Sequence, residues 1–273
     1  MFQQHQSRST LGLMFSMAEV TFHATVRKVR KAHGNAVLSI ILSIVQSILF
    51  IAFFYLMFAF TGMQGAAIRG NFMLYLMTGI FLYLTHIQTL RAVMTSDGPT
   101  SQMMQHAPMN TYVSIISAAL SVLYTQTIAV MCILLLIHTV IEPISIHYWP
   151  GALKMYLLVW LLGLALGIIF MALKPWSPEA VNLISMIYMR ANMIFSGKMF
   201  VANMLPSVML PIFTWNPLFH IIDQIRGDVF VNYFPHVTNE VFPISMTLIL
   251  LLIGLMLEFY TRKHASASWD ARR

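Results

Sequence analysis

The sequence predicts an all-α integral membrane protein. It has six transmembrane helices, an N-terminal amphipathic helix at the membrane interface, and short re-entrant helices between spans five and six. Three observations carry this. First, 58% of the 273 residues are hydrophobic and 9% are charged, whereas a soluble domain carries roughly a quarter charged residues and needs them to cover its core. Second, the uncharged tracts are long: no charge lies between Lys31 and Arg69, or between Asp97 and Glu142. A hydrocarbon layer about 30 Å thick is crossed by roughly 20 apolar helical residues, and in lipid a helix satisfies its own backbone. Third, five of the sixteen Lys and Arg residues precede the first apolar tract and four follow the last. The net charge of +7 is thus a topology signal rather than a groove for nucleic acid.

In chain order, residues 12–33 form the interface helix. Phe15, Ala18, Phe22, Val26 and Val29 recur at spacings of three and four, with His23, Arg27, Lys28, Arg30 and Lys31 among the polar positions. Two placements fit: flat on the lipid surface, which the adjoining span favours, or packed on a partner protein. The spans are 36–60, 72–90, 111–141, 153–173, 180–196 and 244–260. Between spans two and three lies a polar segment, 91–110, containing Arg91, Asp97, Gly98, Gln102 and His106. Trp149 and Pro150 fall in the turn before span four. Ser177 and Pro178 form a helix start for span five, as cap and first residue.

Residues 197–242 contain Pro206, Pro211, Pro217 and Pro235, so no straight helix fits them. Their apolar pieces, 199–213 and 218–233, are too short to cross comfortably and read as re-entrant or interfacial helices. With both termini cytoplasmic, the cytoplasmic segments hold eleven basic residues and the external ones hold Arg69, Lys154, Lys198 and Arg226, in keeping with the positive-inside rule. The polar, Ser- and Gln-rich start does not read as a cleavable signal peptide.

The chemistry is sparse. Cys132 is the single cysteine and can form no intramolecular disulfide. The ten dispersed histidines suggest no metal site. Gly197-Lys198 runs into Met199, so the phosphate-cradling loop of an ATPase is missing. Glu142 and Glu258 sit at span ends, where solvation accounts for them. Arg190 falls inside span five near Asn192 and admits two readings: an anion contact along a transport path, or an arginine snorkelling to the interface. Trp149, Trp176 and Trp215 lie near span boundaries, as in an interfacial aromatic belt. These absences describe a conduit or scaffold driven by a partner rather than an enzyme.

The segment Ser196-Gly197-Lys198-Met199-Phe200, then Leu205-Pro206, then Trp215-Asn216-Pro217-Leu218-Phe219-His220-Ile221-Ile222-Asp223-Gln224-Ile225-Arg226 resembles the permease subunit of bacterial type-2 ABC exporters for capsule, O-antigen and related polysaccharides. The resemblance extends along essentially the whole chain. Asp223 stands where many members carry Glu, and no added sugar-binding domain is evident.

The resemblance implies a bacterial inner-membrane permease, working as two copies with two separate ATPase subunits that bind the ATP and magnesium. Its substrate would be a lipid-linked polysaccharide, with periplasmic and outer-membrane export proteins as further partners. Residues 91–110 would hold the coupling helix on the ATPase, with 12–33 beside it. Residues 197–242 would form an external gate, its geometry fixed by Asn216, His220, Asp223 and Arg226. Asn216-Pro217 is itself a good helix-start pair, and His220, Asp223 and Gln224 then share one helix face. Export of a lipid, a teichoic-acid-like polymer or a drug by the same architecture is the alternative; a membrane-embedded enzyme and an envelope scaffold are the other classes.

Overall fold

The computed structural model describes residues 10–31, 36–61, 68, 70–98 and 111–264. Their regular structure is helical, with no strand among them. The helices are α1 (Thr10–Lys31), α2 (Ala36–Thr61), α3 (Phe72–Met94), α4 (Thr111–Leu136), α5 (Trp149–Leu173), α6 (Pro178–Phe195), α7 (Leu210–Thr214), α8 (Pro217–Val229) and α9 (Val241–His264). A single π turn, Ile137–Ile141, extends α4, and a 3-10 turn, Ala202–Met204, precedes α7.

Among the described residues, five helices are long and apolar enough to cross a membrane: α2, α3, α4 with its π turn, α5 and α9. The chain is therefore a multi-pass membrane protein by length and composition. The fifth predicted span, α6, is 18 residues long and is not among the five. It carries Glu179, Asn182, Arg190 and Asn192, each of which lowers its apolarity.

Boundaries differ from expectation in two instructive places. α3 continues through Met94, so Arg91 lies in its last turn and not in the polar segment. α5 begins at Trp149, with Pro150 in its first turn; this tolerates proline because the N–H it lacks would have no partner inside the helix. Ser177 does occupy the N-cap of α6, but its side chain makes no capping bond.

The bundle is built around α3. Packing is densest between α3 and α5 and between α9 and α5, with α8 lying across the end of both. Gly163 and Gly167 of α5 form the close contact. A Cβ on Gly163 would stand 2.7 Å from the His86 carbonyl oxygen, and one on Gly167 would stand 2.7 Å from the Val93 Cβ. This small-x-x-x-small spacing lets membrane helices approach where apolar burial supplies no driving force. Asn71 opens α3 by accepting the Leu74 N–H at 3.1 Å.

α1 packs chiefly along α4. Lys28 donates to the Ser114 carbonyl at 2.7 Å, while Phe15 and Phe22 remain exposed and Val29 is buried. The predicted apolar stripe is thus divided: its C-terminal end joins the bundle and its N-terminal rings face outward. Lys28, grouped with the interfacial cations from sequence, fastens α1 to α4; Arg27 and Arg30 are exposed.

Candidate functional site

One end of the bundle is closed by the interrupted segment between α6 and α9. α6 ends at Ser196, and the chain turns at Gly197, whose φ is +70°, in the left-handed region that disfavours a side chain. A Cβ there would also stand 2.5 Å from the Phe219 ring. The following backbone lies against the middle of α3, where Gly79 makes room: its Cβ would stand 2.4 Å from the Lys198 carbonyl oxygen.

Arg226 holds this turn. Its guanidinium donates to the carbonyls of Gly197 at 3.0 Å, Phe200 at 2.5 Å and Lys198 at 2.8 Å, and lies 4.5 Å from the centre of the Tyr75 ring. A planar fork of donors suits such convergent carbonyls as a lysine ammonium would not. Asp223, one helical turn earlier, accepts from the Ala202 N–H at 3.2 Å, the Tyr233 hydroxyl at 2.6 Å and the Thr238 hydroxyl at 2.8 Å. Arg226 and Asp223 are both 1% exposed. Each buried charge is therefore compensated by several hydrogen bonds to the segment around it. Burial and the neighbouring Asp223 carboxylate raise the pKa of Tyr233, which keeps its hydroxyl a donor.

The rest of the motif is also structural in its contacts. Asn216 caps α8 by accepting the Leu218 N–H at 3.1 Å, and its amide donates to Asn192 Oδ1 and to the Phe195 carbonyl, each at 2.9 Å. Pro217 is the first residue of α8. His220 Nε2 lies 3.0 Å from the Thr214 carbonyl, an acceptor to which it can only donate, and Nδ1 lies 3.2 Å from the Asn239 nitrogen and 3.3 Å from the Asn239 carbonyl oxygen. Gln224 donates to the Thr238 carbonyl and hydroxyl, both at 2.9 Å. The shared face of His220, Asp223 and Gln224 thus clasps the loop leading to α9.

In the sequence Lys198 stands out as a basic residue of an external segment and as the second half of the Gly197-Lys198 pair, neither of which indicates burial. Its side chain is 1% exposed and runs between α2 and α3, with Nζ 3.7 Å from the centre of the Tyr83 ring, 4.9 Å from Phe50 and 5.5 Å from Phe54. Nζ has no hydrogen-bond partner among the described residues. Burial pushes its pKa down to about 8, while the ring faces favour the ammonium form.

A polar connection runs from this end into the bundle. His86 Nε2 lies 2.9 Å from the Tyr188 hydroxyl, the Tyr83 hydroxyl donates to the Met189 carbonyl at 3.3 Å, and Asn192 reaches Asn216. None of His86, Tyr188 and Tyr83 was singled out in the sequence. A polar residue inside an otherwise apolar span was their only signal.

Gly197, Asn216, Pro217, His220, Asp223 and Arg226 therefore come together. Arg190 does not: it is exposed on α6, among the outward-facing Leu183, Ile187 and Ile194. Arg91, Asp97 and Gly98 lie at the opposite end, where a Cβ on Gly98 would approach Met171 at 3.6 Å. Gln102 and His106, with most of the segment 91–110, lie outside the described residues. Lys31 closes α1. Glu142 is exposed as expected. Glu258 departs from expectation: it lies within α9, is fully buried, and has Arg262 Nε 3.9 Å away. No group of three or more metal-ligating side chains occurs among the described residues.

Compared with protein-family models and with curated proteins, the chain matches none of them.

Proposed function

We propose that the chain is the permease subunit of an ATP-driven exporter in the bacterial inner membrane, and that it moves a lipid-linked polysaccharide of capsule or O-antigen type to the outer face. Two copies form the conduit and two separate ATPase subunits power it. α6 makes the sixth crossing, so that both termini are cytoplasmic and residues 197–242 form an external gate.

The observation that most supports this reading is the reach of α3. Towards its middle, Gly79 seats the turn held by Arg226. In its last turn, Arg91 leads into the segment that the sequence resemblance assigns to the ATPase dock. A single buried helix thus connects the place where force would enter to the segment it would move. Energy conversion in such a machine needs a physical element whose two arrangements are biased from both ends, and α3 is placed to be that element.

The test is deletion of the gene in its own bacterium, followed by localisation of surface polysaccharide. Polymer retained in the cytoplasm beneath a bare surface is the expected result, restored by the wild-type gene. Unchanged surface polymer, in a strain with no second exporter, overturns the polysaccharide assignment and leaves another exported substrate.

A further inference from the structure

The seam between α5 and α9 encloses a carboxyl group that the transport reading does not use. Gly254 seats α9 on α5, where a Cβ would stand 3.2 Å from the Ala165 carbonyl oxygen. Further along α9, the Thr261 hydroxyl donates to the Ala172 carbonyl at 2.9 Å and accepts from the Trp176 indole at 3.0 Å. Glu258 shares that helix face, between the two points of attachment, and its side chain is 0% exposed.

Both Glu258 oxygens are shielded from solvent and have no hydrogen-bond partner among the described residues. The charged and titratable side chains that act on them are Arg262 and Tyr112. Arg262 Nε stands 3.9 Å from Glu258 Oε1, too far for a hydrogen bond. Its Nη2 donates instead to the Tyr112 hydroxyl on α4 at 3.3 Å, and its side chain is partly exposed. The α5 residues at the two attachments, Ala165, Ile168 and Ala172, bring no charge. Asp223 is the contrast, since its carboxylate receives three donors. One buried acid in this bundle is fully compensated and the other is bare. Without water or donors an ionised carboxylate is far costlier than the neutral acid, and an ionisable group inside a span marks a site. The ligand that removes the charge is a proton.

We propose that Glu258 is a proton-binding site, which holds its proton while Arg262 is bonded to Tyr112 and releases it as Arg262 turns to pair with the carboxylate. On release the carboxyl O–H bond breaks, its electron pair stays on the oxygen, and the proton passes to water along the partly exposed Arg262 side chain. The guanidinium then exchanges a neutral hydroxyl for a carboxylate, which makes the stronger, charge-assisted bond. α9 thereby gives up this tie to α4 as the proton leaves. The site is independent of the transport reading: it rests on the packing of α4, α5 and α9 alone.

The experiment is infrared spectroscopy of the full chain in detergent, with the glutamate carboxyls labelled with heavy carbon. The chain has five glutamates. Glu19, Glu142 and Glu179 are exposed and Glu240 is paired with Lys154, so an isotope-sensitive band of protonated carboxyl near neutral pH reports Glu258. That band is expected, together with its loss as the pH is raised and its absence in Glu258→Gln. In Arg262→Gln the carboxylate lacks its counter-charge, and the band should persist about one pH unit further, a tenfold change in proton affinity. A wild-type chain with no such band near neutral pH overturns the site, and a sodium-dependent thermal midpoint alongside that result assigns the carboxylate to a metal cation instead. An unchanged titration in Arg262→Gln overturns the exchange of partners. The wild-type spectrum decides the matter even where a variant fails to fold.

Discussion

α2 and α3 are both membrane-length, and their burial is the reverse of what their apolarity suggests. The most apolar stretch of α2 has a mean hydropathy of 2.4 and is 17% buried, whereas that of α3 has a mean of 1.3, the lowest of the five, and is 89% buried. In water this would be a paradox, since apolar residues are the ones drawn inside. In a bilayer the surrounding chains are as apolar as leucine, so nothing draws a leucine face inward, and close packing and polar contacts decide which helix is central. α3 holds Thr78, Gly79, Thr85, His86 and Thr89, all buried; α2 presents Leu49, Phe53 and Phe60 outward.

The sharpest way to break this contrast is at Gly79. Gly79→Val would drive a branched side chain into the Lys198 backbone, and we expect a loss of about 3 kcal/mol or more of stability, because neither backbone can relax cheaply. Thermal unfolding in detergent measures it; an unchanged midpoint would remove α3 from the centre of the account.

Next in size is Arg226→Lys. One ammonium cannot serve three carbonyls in a fork, and the unsatisfied buried groups should cost about 2–3 kcal/mol. Proteolysis of residues 197–216 should rise in parallel, and equal protection in the variant would refute the clasp.

His86→Leu tests the polar link between α3 and α6. Hydrogen bonds between membrane helices average about 0.6 kcal/mol, so a double-mutant cycle with Tyr188→Phe should return a coupling of that order. Zero coupling would mean that the 2.9 Å contact is incidental.

The smallest effect belongs to α2. Leu49→Ala or Phe53→Ala exchanges lipid-facing carbon for less carbon, and stability should stay within about 0.5 kcal/mol. A loss as large as that at Gly79 would mean that this face is covered by protein.

How much was readable without the structure follows the same physics. Five spans were legible to within a few residues, because long apolar tracts register the bilayer directly. The Asn216-Pro217 start of α8 was legible because capping is local. The end of α3 was missed because Arg91, a charge, looked like the edge of a span. The start of α5 was missed because Trp149-Pro150 reads equally as a turn. Glu258 looked solvated because position in the sequence does not say which side of a helix meets its neighbours. The contacts of Gly79 with Lys198 and of His86 with Tyr188 join residues over a hundred positions apart, and no periodicity records such a meeting. That Asp223 and Arg226 are held by the segments on either side of α8, rather than left facing an open path, likewise needed the fold.

The three carbonyls gathered by Arg226 carry a mechanical consequence. Hydrogen bonds made one per residue can open one at a time, and a segment held that way loosens gradually from its edge. Here one planar guanidinium spans positions 197 to 200, so the three bonds that hold the elbow after α6 share a single anchor, and withdrawal of that side chain removes all of them. The angle at which the chain leaves α6 thus depends on one residue 29 positions beyond Gly197 rather than on the turn alone.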